Sequence, residues 1–133
     1  GEIIMNVPQN LLYSKDHEWV KVEGNKVTIG ITDFAQNQLG DVVFVDTPAP
    51  QTEYKAGDSL CSVESVKAVS DVYSPVSGMV VDVNEELANA PQSINEDPYG
   101  KGWIAVMEMT NSAEDLKALL DAAGYTKLLA EEA

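Results

Sequence analysis

The stretch SLCSVESVKAVSDVYSPVSG, residues 59–78, contains one cation, Lys67, in an otherwise small and β-branched run, and no other lysine lies between Lys55 and Lys101. Three kinds of chemistry suit such a residue. It can be an ordinary solvated lysine, a Schiff-base or general-base catalyst, or an amine that another enzyme acylates. Catalysis requires an apolar pocket or neighbouring cations to release the amine from its proton. The charged neighbours here are instead Glu64, three residues before, and Asp71, four after. A solvated lysine with a pKa of ~10.4 is neutral about once in 2,500 molecules at pH 7, roughly 4.6 kcal/mol against attack. Acylation makes a smaller demand, because the acylating enzyme supplies the activated donor and removes the proton. The carrier need only present the amine, and acylation turns the ammonium into an amide on a long stem.

The remaining reactive side chains form no competing site. Cys61 is the only cysteine and His17 the only histidine, far apart in sequence, so Cys61 reads as a buried structural thiol. A single cysteine also makes no internal disulfide and suits a reducing compartment. No metal-ligand cluster, nucleophile-base spacing or phosphate loop is present. Trp19 and Trp103 read as core anchors, and His17 as a structural or surface residue.

The elements that must hold Lys67 are strands. HEWVKVE alternates, with Val20 and Val22 opposite Trp19, Lys21 and Glu23; Gly24 and Asn25 make a turn, and Val27, Ile29 and Ile31 mark one face of the returning strand. Thr32 caps a short helix ending near Gly40, and VVFVDTP is a strand stopped by Pro48. After a turn at Ala56-Gly57-Asp58, one strand runs up to Lys67 and another away from it, ended by the breakers Pro75 and Gly78. A tight hairpin is a good mount for an acylated lysine, since its tip projects from a rigid sheet and Ser65, Val66 and Ala68 leave an approaching enzyme room. Met79, Val81 and Val83 alternate into a further strand, followed by one helical turn within a long loop over residues 84–102. WIAVMEM is a last buried strand. Ser112 and Asp115 resemble a capping box for a helix from about residue 112 that Gly124 ends, with a further turn over Tyr125 to Ala130. Many short strands with polar turns, closed by a C-terminal helix, favour a small sandwich or barrel.

The chain has 133 residues, about one domain: a tail over residues 1–10, then a single domain over 11–133. Gly1 to Ile4, ahead of a start at Met5, read as an expression remnant or as what is left of a processed leader. Eight lysines and no arginine face 22 carboxylates, a formal charge of -14, which argues against nucleic acid and anionic membranes as partners. With 44% hydrophobic residues the chain is folded, and its charge serves solubility or docking to basic or mixed protein surfaces. No run of apolar residues spans a bilayer.

GDSLCSVESVKAVSDVYSPVSGMV has the Gly-Asp, strand, Glu-x-x-Lys-Ala, strand, Pro-x-x-Gly layout of lipoyl- and biotinyl-carrier domains. Val66 and Ala68 stand where biotin carriers usually have methionines, and lipoyl domains of 2-oxoacid dehydrogenase complexes lack the preceding hairpin and helix. Nearly the whole chain resembles the H-protein family of the glycine cleavage system, through HEWVKVEGNKVTIGITDFAQNQLGDVVFVDTP, ESVKA, SDVYSPVSGMVVDVNEEL, INEDPYGKGWIAVMEM and the C-terminal helix. That resemblance implies a mostly β barrel-sandwich hybrid with short helices and a C-terminal helix. It also implies covalent lipoic acid on Lys67, with Glu64, Ser65, Val66 and Ala68 recognised by a lipoate ligase or lipoyl transferase. The expected role is a non-catalytic, monomeric shuttle between glycine decarboxylase (the P protein), aminomethyltransferase (the T protein) and dihydrolipoamide dehydrogenase (the L protein). The loaded arm is expected in a cleft lined by Glu18, Asp71 and Gln38, the last standing where some relatives have histidine. The compartment expected is the bacterial cytoplasm or, in a eukaryote, the mitochondrial matrix. Two other readings remain: a relay passing lipoate to other carriers, and an interaction module whose lysine is never modified.

Overall fold

Alternating apolar residues and short polar turns give nine antiparallel strands in the computed structural model, which describes residues 5–132. The interpretation of Gly1 to Ile4 lies outside the described residues. Strands β1 (Leu12–Tyr13), β2 (Glu18–Glu23), β3 (Lys26–Ile31), β9 (Ala105–Met109), β8 (Gly78–Val83) and β5 (Glu53–Tyr54) form one sheet in that order. The second sheet consists of β4 (Val42–Asp46), β6 (Ser59–Ser65) and β7 (Val69–Tyr73). Val20, Ile29, Val80 and Met107 from the first sheet pack with Val45, Leu60, Val63 and Val72 from the second in one core. The expected barrel-sandwich hybrid of the lipoyl-carrier type is the fold observed.

Helix α1 (Asp33–Leu39) begins where predicted: Thr32 accepts a hydrogen bond from Ala35 N–H, and Gly40 ends the helix at φ 86°. The long loop holds a 3₁₀ turn (Glu85–Ala88) and the short helix α2 (Ser93–Glu96), two helical turns where one was expected. The C-terminal region divides into α3 (Ser112–Lys117) and α4 (Ala122–Glu132), with Leu120 bridging to Tyr13 between them. No capping box forms. Ser112 is already inside α3, and the Asp115 carboxylate accepts from Ser77 N–H instead. Gly124 lies within α4 and does not end it.

Two strand readings need correction as well. Gly78 opens β8 rather than breaking it; a Cβ there would run into the Glu108 carbonyl of β9. Within β8, Gly78 and Val80 are buried while Met79, Val81 and Val83 are half-buried, and a bulge between Val80 and Asp82 interrupts the expected alternation. In β2 the burial follows position along the strand more than alternation: Glu18, Trp19 and Val20 are buried, whereas Val22 is exposed. Trp19 belongs to a second cluster, with Leu11, Tyr13, Ala122 and Tyr125, which fastens α4 to the outside of the larger sheet. Gly30 leaves room for its indole, since a Cβ would lie 2.5 Å from Trp19 Nε1. Residues 6–8 are tied to this end of the domain through Asn6 N–H to Asp33 and the Tyr99 hydroxyl to the Asn6 carbonyl. Among the described residues no helix is long and apolar enough to cross a membrane.

Candidate functional site

The β6–β7 hairpin pairs Glu64 with Val69 and leaves Ser65 to Ala68 as its tip. A connection this short usually relies on positive φ and glycine. Neither is used, for the only non-glycine residues with positive φ among those described are His17 and Gln51. Ser65 supplies the missing constraint. Its N–H donates to the Ala68 carbonyl at 2.8 Å, while its hydroxyl accepts from Lys67 N–H at 3.2 Å and Ala68 N–H at 3.1 Å. The side chain thereby replaces a turn's backbone bonds. Val66 N–H donates to the Asp41 carbonyl at 3.0 Å, joining the tip to the α1–β4 turn.

Lys67 is exposed, and its aliphatic stem crosses Gly40: a Cβ at Gly40 would lie 3.4 Å from Lys67 Cε. The Asn95 side chain of α2 holds that turn from below. Its Oδ1 accepts from Val42 N–H at 2.8 Å, and its amide donates to the Gly40 carbonyl at 2.9 Å and to Gln36 at 3.0 Å. Sequence reasoning missed Asn95. The only pointer was its place in the resemblance segment INEDPYGKG, because one amide in a loop has no periodic pattern.

Beside the tip a groove of about 400 Å³ runs between α1 and the start of β7. Phe34, Leu39, Ala68 and Val69 form apolar walls, and Asp16, His17, Gln38 and Ser70 give polar borders. Gln38 and Ala68 thus meet next to Lys67, and Glu64, Ser65 and Val66 lead into the tip. Glu18 and Asp71 are not among the groove's lining residues. Asp71 faces outward on β7, in the cross-strand row Asp46–Ser62–Asp71. Glu18 is 2% exposed; its carboxyl accepts from the Ser14 hydroxyl and from Tyr73 N–H, tying β2 of one sheet to β7 of the other. Burial raises its pKa from 4.5 to about 7, against the lowering effect of those hydrogen bonds.

His17 stands at the groove's far border at φ 69°. Its Nδ1 lies 2.8 Å from the Tyr125 hydroxyl and its Nε2 3.0 Å from Glu132, so α4 braces this wall. Cys61 is buried, and burial followed by nearby carboxylates pushes its thiol up to about 12, which leaves it inert. Among the described residues no cluster of His, Cys, Asp and Glu has metal-binding geometry.

Lys67 is thus an exposed lysine on a glycine-free hairpin tip, beside a groove of mixed polarity. The family model described as glycine cleavage H-protein matches residues 11–132. The chain belongs to that family. Glycine cleavage system H proteins from Carboxydothermus hydrogenoformans and Coprothermobacter proteolyticus are 59% and 58% identical to it. The first alignment covers 95% of this chain and 96% of the relative, the second 96% and 100%. The crystal structure of a glycine cleavage system H protein from Mycobacterium marinum superposes with a TM-score of 0.83 at 38% identity, covering 91% of this chain and 97% of that one. Agreement at that level extends through both sheets, so the H-protein likeness is one of whole architecture and not of the lysine motif alone.

Proposed function

We propose that this chain is the lipoyl-carrying shuttle of the glycine cleavage system, with lipoate in amide linkage to Lys67. The observation that carries this reading is the exposure of Lys67 on a hairpin tip fixed by Ser65 and Asp41, in a chain whose family match spans residues 11–132. Lys67 would hold the lipoyl group, which when bound would supply a disulfide/dithiol couple able to carry an aminomethyl group between glycine decarboxylase and the aminomethyltransferase and to pass two electrons to dihydrolipoamide dehydrogenase.

The chain's own residues present, shelter and release. Ser65 and the Asp41 carbonyl fix the base of the arm. Phe34, Leu39 and Val69 offer apolar contact along an acyl chain, while Gln38 and Asp16 can hydrogen-bond a polar end group. No residue of the chain forms or breaks a bond in the cycle, and its high negative charge suits brief, reversible docking to successive enzymes.

Incubating the apo protein with a lipoate ligase, lipoate and ATP should add one lipoyl mass to the peptide containing Lys67 and nothing to Lys67→Ala. The lipoylated protein should then support glycine decarboxylation and bicarbonate exchange with the partner enzymes. An unmodified Lys67 under full ligase activity would defeat the reading. A lipoylated protein inactive in exchange would favour the relay.

A further inference from the structure

Four apolar side chains stand in water around the tip: Phe44 at 55% exposure, Val43 at 50%, Val66 at 70% and Val69 at 64%. Two of them are consecutive in β4, and a regular strand would send one of the pair inward. The register shifts between Val42 and Phe44, and a bulge re-aims side chains in this way. Phe44 then stands beside Glu64, and Glu64 beside Val69, in one row across the outer face of the smaller sheet. The next row on that face is Asp46, Ser62 and Asp71. An aromatic side chain and three valines are therefore exposed on the tip and the strands beside it, with carboxylates among and behind them.

Reach separates the partners that need this patch from those that do not. A lysine stem extends roughly 6 Å from its Cα, so an enzyme that bonds to Nζ must seat its own surface against the residues around Lys67. Enzymes that act on the far end of an acyl arm meet it at about twice that distance and can leave β4 untouched. We propose that the patch centred on Phe44 docks the enzyme that acylates Lys67, through an apolar recess bordered by basic side chains. The proposal rests on the lipoyl-carrier reading and adds β4, outside the motif, to the recognition surface. Phe44 is the anchor, since aromatic side chains dominate such contacts, and Asp46, Glu64 and Asp71 steer the encounter.

The test measures lipoylation kinetics of apo wild type, Phe44→Ser and Val69→Thr with a lipoate ligase, after thermal melts show that the variants are folded. Phe44→Ser should lower kcat/KM about tenfold or more, mainly through KM, with Val69→Thr in the same direction. Raising salt from about 0.05 to 0.3 M should slow wild type more than an Asp46→Asn/Asp71→Asn double variant. Phe44→Ser protein lipoylated to completion should be loaded by glycine decarboxylase within about twofold of wild type. Lipoylation of both variants at the wild-type rate overturns the docking surface while leaving Lys67 as the attachment site. An equal loss in decarboxylase loading assigns the patch to that enzyme and overturns the proposed occupant. Failure of wild type itself to be lipoylated removes the carrier reading and this proposal with it.

Discussion

Glu18 joins the two sheets through hydrogen bonds that a neutral carboxyl can keep and a buried carboxylate keeps only at a desolvation cost. Its folded pKa, about 7, lies above the ordinary 4.5, so the folded state holds a proton that the unfolded chain releases earlier. The contribution is complete below about pH 4.5 and is lost as pH rises through 7, by about 3 kcal/mol at most. Thermal melts between pH 5 and 8 should show wild type losing stability over that interval, and Glu18→Gln should flatten the slope. An unchanged slope would place the pH dependence elsewhere. The place of Lys67 at the tip of a hairpin was legible in the sequence, because two β-branched runs meet at it between the Ala56-Gly57-Asp58 turn and Pro75. The burial of Glu18 was not. HEWVKVE shows alternation, but it does not show that β1 and the α4 cluster cover one end of the strand and leave Val22 at the other in water.

At the level of elements, the tip depends on a turn it does not contain. Asn95 satisfies Val42 N–H and the Gly40 carbonyl, and Asp41 between them receives Val66 N–H. Asn95→Ala leaves two backbone groups without partners, and should cost about 2 kcal/mol of stability. Hydrogen exchange at Val42 and Val66 should accelerate more than at the β2–β3 hairpin; uniform acceleration would mean that Asn95 supports the whole fold and not this turn. Elements marked by local chemistry were read correctly, as with the Thr32 cap and the Gly24-Asn25 turn. Those that depend on distant packing were not. Gly78 looks like a breaker until the close Glu108 carbonyl is known, and Gly124 looks like a stop until Ala122 and Tyr125 are seen buried on either side of it. The β8 bulge has no signature in residue types, so the alternation of Met79, Val81 and Val83 read as an unbroken strand where the register shifts after Val80.

For the molecule as a whole, α4 is tied to the groove through the Tyr125 hydroxyl and through Glu132 beside His17. Tyr125 Oη lies 2.6 Å from Thr32, the cap of α1, and 2.8 Å from His17, while its ring stacks on Tyr13 with centroids 4.6 Å apart. Tyr125→Phe keeps the stack and removes the hydroxyl, and should cost about 1–2 kcal/mol. Chemical-shift changes should concentrate at His17, Thr32 and Phe34 rather than at the Lys67 tip; changes at the tip would contradict the separate bracing described above. The Ser65 turn bears on how the molecule operates. Without a glycine between Ser65 and Val69 and with its backbone bonded to Asp41, the tip is a post without a hinge, so backbone bending adds nothing to the distance the lysine side chain can cover. On the carrier role proposed above, every partner's active site must come within one fixed radius of the same point, and shortening the stem by a single methylene would be felt by all of them alike.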